Sequence, residues 1–442
     1  MTLHLLYIDP GTGSMLFSIL IGAAATFFFV FRALLIKIKL FFSGGVRGGG
    51  GAAVFGAAAA AQYVIYCEGK QYFNVFKPVL DEFEKRKINL VYLTSSSDDP
   101  VFEINFEYIK SEYIGEGNKA FARLNMLNAD FVLMTTPGLQ VYQLKRSRLV
   151  KHYSHILHAP SDATMYRLFG IDYFDSILLT GSYQADDIRK LEDLRGLPEK
   201  QLVTVGCTYL DVYAEKIKLL PPKDSSVFTV LVSPSWGDSA LLSRYGEKLL
   251  SPLVKTGWRI IARPHPQSKK SEAEMLRSLM EKYKDAANLE WDYERENIYS
   301  LSKADIMISD FSGIIFDYVF LFDKPVLYVN HKIDMRLYDA DDLLEDADGC
   351  YDSLDRIWQF RTLKEIGIEL LDNFFDSIGE IIKNASDSAG LKAARHKAKD
   401  EAWQHRGMAG ELTADFMIQT VNEIEPDFRV KNPPDPRRAD KE

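Results

Sequence analysis

Short apolar runs alternate with longer amphipathic segments along most of this chain, from about residue 63 onward. Runs of this length that are rich in β-branched and aromatic residues predict buried strands, and the intervals between most of them are long enough for helices. Alternation of this kind is typical of βαβ units and a mostly parallel sheet. The predicted strands cover 63–68, 89–95, 130–137, 152–159, 176–182, 228–235, 259–266, 305–312 and 325–330.

A proline-containing segment, "KLLPPKDSS" at 218–226, interrupts this alternation before it restarts. We interpret it as a hinge, which predicts an α/β fold of two Rossmann-like domains facing a cleft; a single large sheet is the alternative. The expected limits are 63–217 for the N-terminal domain and 223–385 for the C-terminal domain. Residues 386–442 are expected to hold C-terminal helices and a disordered, proline-rich tail.

The N-terminal segment has a different pattern, because residues 15–36 are apolar except for Ser18, Thr26 and Arg32. A helix of this length spans ~33 Å, enough to cross a bilayer core of ~30 Å. We therefore predict a membrane anchor within 1–42 and a Gly/Ala-rich linker over 43–62.

The flanking charges give this anchor an orientation. Basic residues follow the apolar run, which predicts a single-pass protein of the cell (inner) membrane with the rest of the chain in the cytoplasm. Asp9, rather than a basic region, precedes the run, which argues against a signal peptide. An interfacial helix lying on the membrane is the other alternative.

Composition narrows the class of protein. Hydrophobic residues make up 47% of the 442 residues and the formal net charge is −9, which fits a globular protein and disfavours general nucleic-acid binding. The three cysteines are far apart and form no C-x-x-C motif, which argues against a zinc site or a disulfide framework.

The segment "SDFSGIIFD" at 309–317 places small polar residues between a predicted strand and an apolar helix. Asp310 or Ser312 can cap this helix, and hydroxyls beside free N–H groups at a helix start suit a phosphate. A plain N-cap is the alternative. Asp317 lies inside the apolar helix, where a carboxylate without a partner is costly.

A second segment, "RPHP" at 263–266, ends another predicted strand. Arg263 and His265 are two residues apart, so in extended chain their side chains point the same way and can meet a diphosphate. A proline-stiffened loop with solvated side chains is the alternative.

Three histidines, His152, His155 and His158, recur at every third position. A strand puts residues three apart on opposite faces, so we expect no three-histidine metal site. His158 lies at the strand end, where it could act as a general base.

Five segments in order resemble the CDP-glycerol:poly(glycerophosphate) glycerophosphotransferase family, the teichoic-acid polymerases and primases. They are His158 with a small residue after it, "VGCTYLD" (205–211), "LVSPSWGDS" (231–239), "RPHP" and "SDFSGIIFD". The chain departs from the family pattern mainly on the acceptor side, where Ala159 replaces a common glycine. The family has the GT-B fold, in agreement with the two α/β halves.

The resemblance implies a transferase of teichoic-acid biosynthesis. It would move glycerol phosphate or ribitol phosphate from a CDP-activated donor to a lipid-linked or membrane-associated acceptor of the cell envelope, without a metal or cofactor. His158 would take the acceptor proton. The implied site has His158 and His265 as catalytic residues, Arg263, Ser309, Asp310, Ser312 and Gly313 as donor-diphosphate ligands, and Asp317, Ser235 and Trp236 as supporting residues. The alternatives are a nucleotide-sugar glycosyltransferase and a catalytically silent nucleotide-binding protein of envelope assembly.

Overall fold

The computed structural model describes residues 60–294, 296–329, 335–344, 354–385 and 389–424. Two β-sheets dominate this part of the chain. The first sheet contains β1 (Ala61–Cys67), β2 (Leu90–Thr94), β3 (Ile109–Tyr113), β4 (Asn128–Met134), β5 (Leu149–Ile156), β6 (Ser176–Leu179) and β7 (Gln201–Thr204). The second contains β8 (Thr229–Val232), β9 (Arg259–Ala262), β10 (Leu289–Trp291), β11 (Ile306–Ser309), β12 (Val326–Tyr328) and β13 (Ile368–Glu369).

Each sheet is doubly wound, with strand order β3-β2-β1-β4-β5-β6-β7 in the first and β10-β9-β8-β11-β12-β13 in the second. All strand pairs of both described sheets are parallel. The predicted α/β class with two Rossmann-like halves is therefore confirmed, and a single large sheet is excluded. The strand order reverses between β1 and β4 and between β8 and β11, which are the points where open parallel sheets bind ligands.

Helices connect the strands and cover both faces of each sheet. They are α1 (Phe73–Lys85), α2 (Asn118–Leu124), α3 (Ala185–Arg195), α4 (Thr208–Lys218), α5 (Leu241–Lys255), α6 (Ser268–Ser271), α7 (Ala273–Lys282), α8 (Ile298–Lys303), α9 (Ile314–Phe322), α10 (Ala340–Leu344), α11 (Trp358–Ile366), α12 (Ile378–Asn384), α13 (Ala389–Ala402) and α14 (Ala409–Glu423). Helix α1 shows the reason for this placement, since Phe73, Phe76, Leu80 and Phe83 recur at helical spacing and are all buried.

The sheets are buried on both faces, which explains why their central strands are continuous apolar runs. In β1, Val64 and Tyr66 face one hydrophobic cluster, whereas Tyr63, Ile65 and Cys67 face the cluster that includes α1. The second sheet likewise separates two large apolar clusters.

The last helices return to the first half of the chain. Helix α14 packs against α1, and Gly410 lies so close to Pro78 that a Cβ at this glycine would be 2.7 Å from the Pro78 carbonyl oxygen. The segment between α13 and α14 approaches Gly206 in the same way. Gly206 has a φ of +95°, and a Cβ there would be 2.4 Å from the carbonyl oxygen of Gln404.

An arginine joins the two α/β halves at the end of α3. Arg195 pairs with Asp172 of the first half at 2.7 Å and with Asp339 and Asp342 of the second at 2.8 and 2.6 Å. Its side chain is only 8% exposed, so the three carboxylates compensate a largely desolvated charge. Burial raises the pKa of Asp339 to about 7, and the Arg195 charge opposes that rise.

The membrane prediction is corrected. Within the residues that the structure describes, there is no helix with the length and hydropathy needed to cross a membrane. The segment 15–36, on which the transmembrane helix and the single-pass localisation depended, lies outside the described residues, as do most of the 43–62 linker and the tail beyond residue 424.

Candidate functional site

The sequence-predicted site residues lie at the carboxyl ends of the central strands. Ser235 and Trp236 follow β8, Arg263 and His265 follow β9, and the segment 309–313 ends β11 and leads into α9. In the first sheet His158 follows β5. Adjacent strands are ~4.8 Å apart, so the ends of β9 and β11, with β8 between them, are separated by ~10 Å.

Asp310 organises the loops of the second sheet. Its carboxylate accepts hydrogen bonds from the Ser235 N–H at 2.9 Å, the Ser235 hydroxyl at 2.9 Å, the Leu241 N–H at 2.9 Å and the Ser312 N–H at 3.1 Å. The residue is 1% exposed. Asp310 thereby connects the loop after β8 to the start of α9, and its predicted diphosphate contact stays a prediction.

The other residues of the 309–313 loop differ in their burial and in the direction of their polar groups. Ser309 is fully buried, and its hydroxyl donates to the Ser233 carbonyl at 2.6 Å, so it faces the interior rather than a ligand. Ser312 and Gly313 are half-buried, and Gly313 is the N-cap residue of α9, where no side chain caps the helix. Within 309–317, the groups open to an anion are therefore Ser312, Gly313 and the first turn of α9, and anion binding there stays a prediction.

Arg263 also differs from the prediction. Its guanidinium donates to the Asp292 carboxylate at 2.5 Å and to the Glu294 carbonyl at 2.7 Å, and the residue is 7% exposed. Both groups belong to the segment after β10. A diphosphate contact by Arg263 stays a prediction, since these two contacts occupy only part of the donor capacity of the guanidinium.

His265 has a defined hydrogen-bonding role. Its Nδ1 accepts from the Gln267 N–H at 3.1 Å, so in the neutral ring the proton is on Nε2, which can donate to a phosphate oxygen. Burial lowers the pKa of His265 and favours this neutral form. The Trp236 ring stacks beside it with centroids 6.2 Å apart and is 41% exposed, which leaves an aromatic surface at the same sheet edge.

Asp317 is held by two neutral donors. The Tyr209 hydroxyl donates to one carboxylate oxygen and the Asn297 side-chain amide to the other at 3.1 Å. Burial raises the pKa of Asp317 well above its ordinary value. Tyr209 lies in the first turn of α4 and Asp317 in the first turn of α9, so this contact supports the helix whose start faces the cleft.

In the first half, His158 is oriented through one ring nitrogen. Its Nδ1 lies 3.1 Å from the Thr135 hydroxyl at the end of β4 and 3.0 Å from the Tyr166 hydroxyl. The Tyr72 ring contacts it edge-on with centroids 5.1 Å apart. Burial lowers the pKa of His158 to about 4, so the ring is neutral at physiological pH.

A small cavity of about 120 Å³ opens beside this histidine. Residues 157–159, Ser161, Asp162, Met165 and Tyr166 line it. The other two histidines have separate places: His152 contacts the Ser176 hydroxyl at 2.8 Å, and His155 is fully buried.

The cavity borders the loop at the start of α9 in the second half, the segment for which the sequence predicted phosphate binding. A Cβ at Gly313 would be 4.0 Å from the Ser161 hydroxyl. Gln359 bridges the same two loops, because its N–H donates to Asp162 at 2.5 Å and its side-chain amide donates to the Phe311 carbonyl at 2.7 Å. His158 and the start of α9 therefore face one shared cleft.

Sequence reasoning missed the residues that hold this cleft together. Tyr166, Thr135, Ser161 and Gln359 are polar or aromatic residues at unremarkable positions, and no local pattern distinguishes them. The signal that could have found Thr135 is its place at the end of a predicted strand beside the strand that ends near His158.

Two parallel, doubly wound sheets whose carboxyl edges face a common cleft define a GT-B-like protein. Solved structures agree at the level of the fold. The wall teichoic acid polymerase TagF superposes with a TM-score of 0.52 at 14% identity, over 82% of this chain and 89% of that one. UDP-GlcNAc 2-epimerase from Methanocaldococcus jannaschii gives 0.52 at 14% identity, over 81% of this chain and 99% of that one.

The sequence comparisons agree with this resemblance. Residues 207–344 match the CDP-Glycerol:Poly(glycerophosphate) glycerophosphotransferase family, which confirms the resemblance over this segment. The Minor teichoic acid biosynthesis protein GgaB of Bacillus subtilis (strain 168) is 27% identical over 163 residues. That alignment covers 36% of this chain and 16% of GgaB, so the chain spans a small part of this relative's length.

Proposed function

We propose that this protein is a transferase that moves a polyol phosphate, glycerol phosphate or ribitol phosphate, from a CDP-activated donor to a hydroxyl of a cell-envelope acceptor. The observation that carries the proposal is the shared cleft, in which the His158 cavity borders the start of α9 next to Ser161 and Gly313. The match of residues 207–344 to the glycerophosphotransferase family supports the choice of a CDP-linked donor.

In this proposal the donor diphosphate lies at the carboxyl edge of the second sheet. Ser312, Gly313 and the first N–H groups of α9 bind its oxygens, and the Nε2–H of His265 donates from the other side. Asp310 and Asp317 hold the loop and the helix without touching the ligand. These groups neutralise the charge that develops on CMP as it leaves, which is the main protein contribution expected in phosphoryl transfer.

The acceptor hydroxyl enters through the cavity beside His158. Nε2 of His158 takes the proton while the acceptor oxygen forms a bond to the phosphorus that carries the polyol. The bond from that phosphorus to the CMP oxygen breaks, and CMP leaves with the electron pair. The acceptor class is proposed as a glycan or lipid of the envelope, because GgaB is a teichoic acid biosynthesis protein.

The test measures CMP release by the full chain from CDP-glycerol and CDP-ribitol, with UDP-sugars as competing donors. We expect CMP from at least one CDP-polyol and loss of most turnover in His158→Gln, since a general base contributes about 10²–10⁴ in rate. His152→Gln is the matched control, because His152 bonds Ser176 in the interior of the sheet. Release of a nucleoside diphosphate from a sugar donor would instead establish a glycosyltransferase, and binding without turnover a silent nucleotide-binding protein.

A further inference from the structure

We propose that Tyr166 and His155 are positioning residues that set the proton arrangement of His158, so that Nε2 of His158 carries the lone pair. Their contacts with His158 form a short chain that leads from the sheet interior to the cavity. The catalytic consequence rests on the proposed function, whereas the proton arrangement itself can be observed without turnover.

The chain runs through one phenol oxygen. The Tyr166 hydroxyl lies 3.1 Å from Nε2 of His155 and 3.0 Å from Nδ1 of His158. The ring of His155 meets Tyr166 nearly perpendicular, at 88° with centroids 5.2 Å apart, and packs against Phe174 at 4.9 Å. These ring contacts fix where each nitrogen points.

A phenol has a single proton, so Tyr166 donates to only one of the two imidazoles at a time. If it donates to His155, its oxygen accepts the Nδ1–H of His158, and Nε2 of His158 is left as a base. If it donates to His158, the proton of that ring is on Nε2, and His158 is unable to accept a proton from a substrate. The direction of this chain, together with the Thr135 hydroxyl 3.1 Å from the same Nδ1, therefore decides whether His158 is a base.

The reaction selects the first direction. After His158 accepts a proton, both of its nitrogens are donors, and Nδ1–H needs an oxygen acceptor. A Tyr166 hydroxyl that already donates to His155 provides that oxygen without rotating. In the opposite direction, two protons would face each other across the 3.0 Å contact.

His155 is suited to the accepting end. It is fully buried, and burial lowers its pKa to about 3, so the ring stays neutral and keeps one nitrogen free to accept. Its Nδ1 has no hydrogen-bond partner among the described residues. The contact with Tyr166 is made by Nε2, so when Nε2 accepts from the phenol the single proton of the neutral His155 ring is on Nδ1.

The direct test is ¹⁵N NMR of the full chain labelled at its eight histidines, with His158 assigned by comparison with His158→Gln. In the wild type we expect a single His158 form, protonated at Nδ1 and bare at Nε2. Tyr166→Phe keeps the ring and removes the oxygen, and we expect it to populate the Nε2–H form. An unchanged His158 signal in Tyr166→Phe, or a change only in Thr135→Val, would overturn the proposal.

The kinetic test uses the CDP-polyol that the wild type turns over. For Tyr166→Phe we expect kcat to fall about tenfold or more with KM for the donor nearly unchanged, and the acid limb of the pH profile to move to lower pH. Tyr153→Phe is the matched control. It removes the hydroxyl that accepts from the Ser147 N–H at 3.0 Å elsewhere on β5, so it should lower the melting temperature and leave the pH profile in place.

The two tests separate the proposals. If the wild type releases CMP from no CDP-polyol, the proposed function fails while the ¹⁵N spectrum still decides the role of Tyr166. If turnover is present and Tyr166→Phe retains both the wild-type kcat and its pH profile, Tyr166 has no positioning role.

Discussion

Replacing Asp310 tests whether this carboxylate organises the cleft or binds the donor. It lies between two loops and accepts from four donor groups of Ser235, Leu241 and Ser312, at 2.9 to 3.1 Å. Asp310→Ala leaves three backbone N–H groups, two of them buried, without this acceptor. Asp310→Asn preserves the shape but turns one oxygen into a donor that faces other donors.

The magnitude follows from these contacts. A hydrogen bond to a charged group contributes about 1.5–3 kcal/mol, and a buried donor left without a partner costs about 1–3 kcal/mol. Such terms are not additive, since the loops relax and water enters. We expect Asp310→Ala to lower the free energy of unfolding by about 4 kcal/mol and Asp310→Asn by about 2 kcal/mol, a large share of a typical stability of about 5–15 kcal/mol.

Urea unfolding without ligand measures this effect, and a thermal shift with CDP-glycerol measures donor binding. Ser312→Ala is the matched control from the same loop. It removes a half-buried hydroxyl and should change the unfolding free energy by less than about 0.5 kcal/mol while weakening the donor-induced shift. If Asp310→Asn is as stable as the wild type and changes only the donor shift, Asp310 is a ligand contact and does not organise the loops.

Three further substitutions test other parts of the fold. Arg195→Met leaves three partly or fully buried carboxylates without their cationic partner, and it should lower the free energy of unfolding in urea by about 3–5 kcal/mol. Arg259→Met breaks an exposed ion pair and should lower this free energy by less than about 1 kcal/mol. Equal losses in the two variants would contradict the role of burial. Gly206→Ala should cost more than about 2 kcal/mol, because it adds a clash to an unfavourable φ, while Gly196→Ala, with φ +60° and open space, should cost about 1 kcal/mol. The pKa of His155 is lowered to about 3 in the folded state, so its contribution to stability is complete above pH 6.5 and is lost as the pH falls. Between pH 7 and 5 the free energy of unfolding of His155→Gln should therefore fall by about 2 kcal/mol less than that of the wild type. Parallel profiles of the two proteins would show that the histidine is not buried as a neutral ring.

The sequence pattern predicted the central strands and missed the edges. The strands it found correspond to β1, β2, β4, β5, β6, β8, β9, β11 and β12. The four that it missed, β3, β7, β10 and β13, are the edge strands of the two sheets. An edge strand is only partly covered, so it lacks the continuous apolar run that marks a buried strand.

The sequence predicted where the candidate site residues lie better than it predicted the contacts that each side chain makes. Because the carboxyl ends of parallel strands meet at one edge of a sheet, the predicted strand ends placed the segments after β8, β9 and β11 at the same edge. The contacts of Arg263 with Asp292 and of Ser309 with the Ser233 carbonyl join residues that are 29 and 76 positions apart. No local pattern encodes such pairings, so a serine that faces a ligand and a serine that faces the core look alike in the sequence.

The return of α14 onto α1 has a consequence for how the chain is made. Ala414, Phe416 and Met417 belong to the same apolar cluster as β1 and α1, although more than 300 residues separate them along the chain. During synthesis the N-terminal half emerges first, with the outer surface of α1 uncovered until α14 leaves the ribosome. We therefore expect the two halves to mature together, and a chain that stops before α14 to expose apolar surface and depend on chaperones.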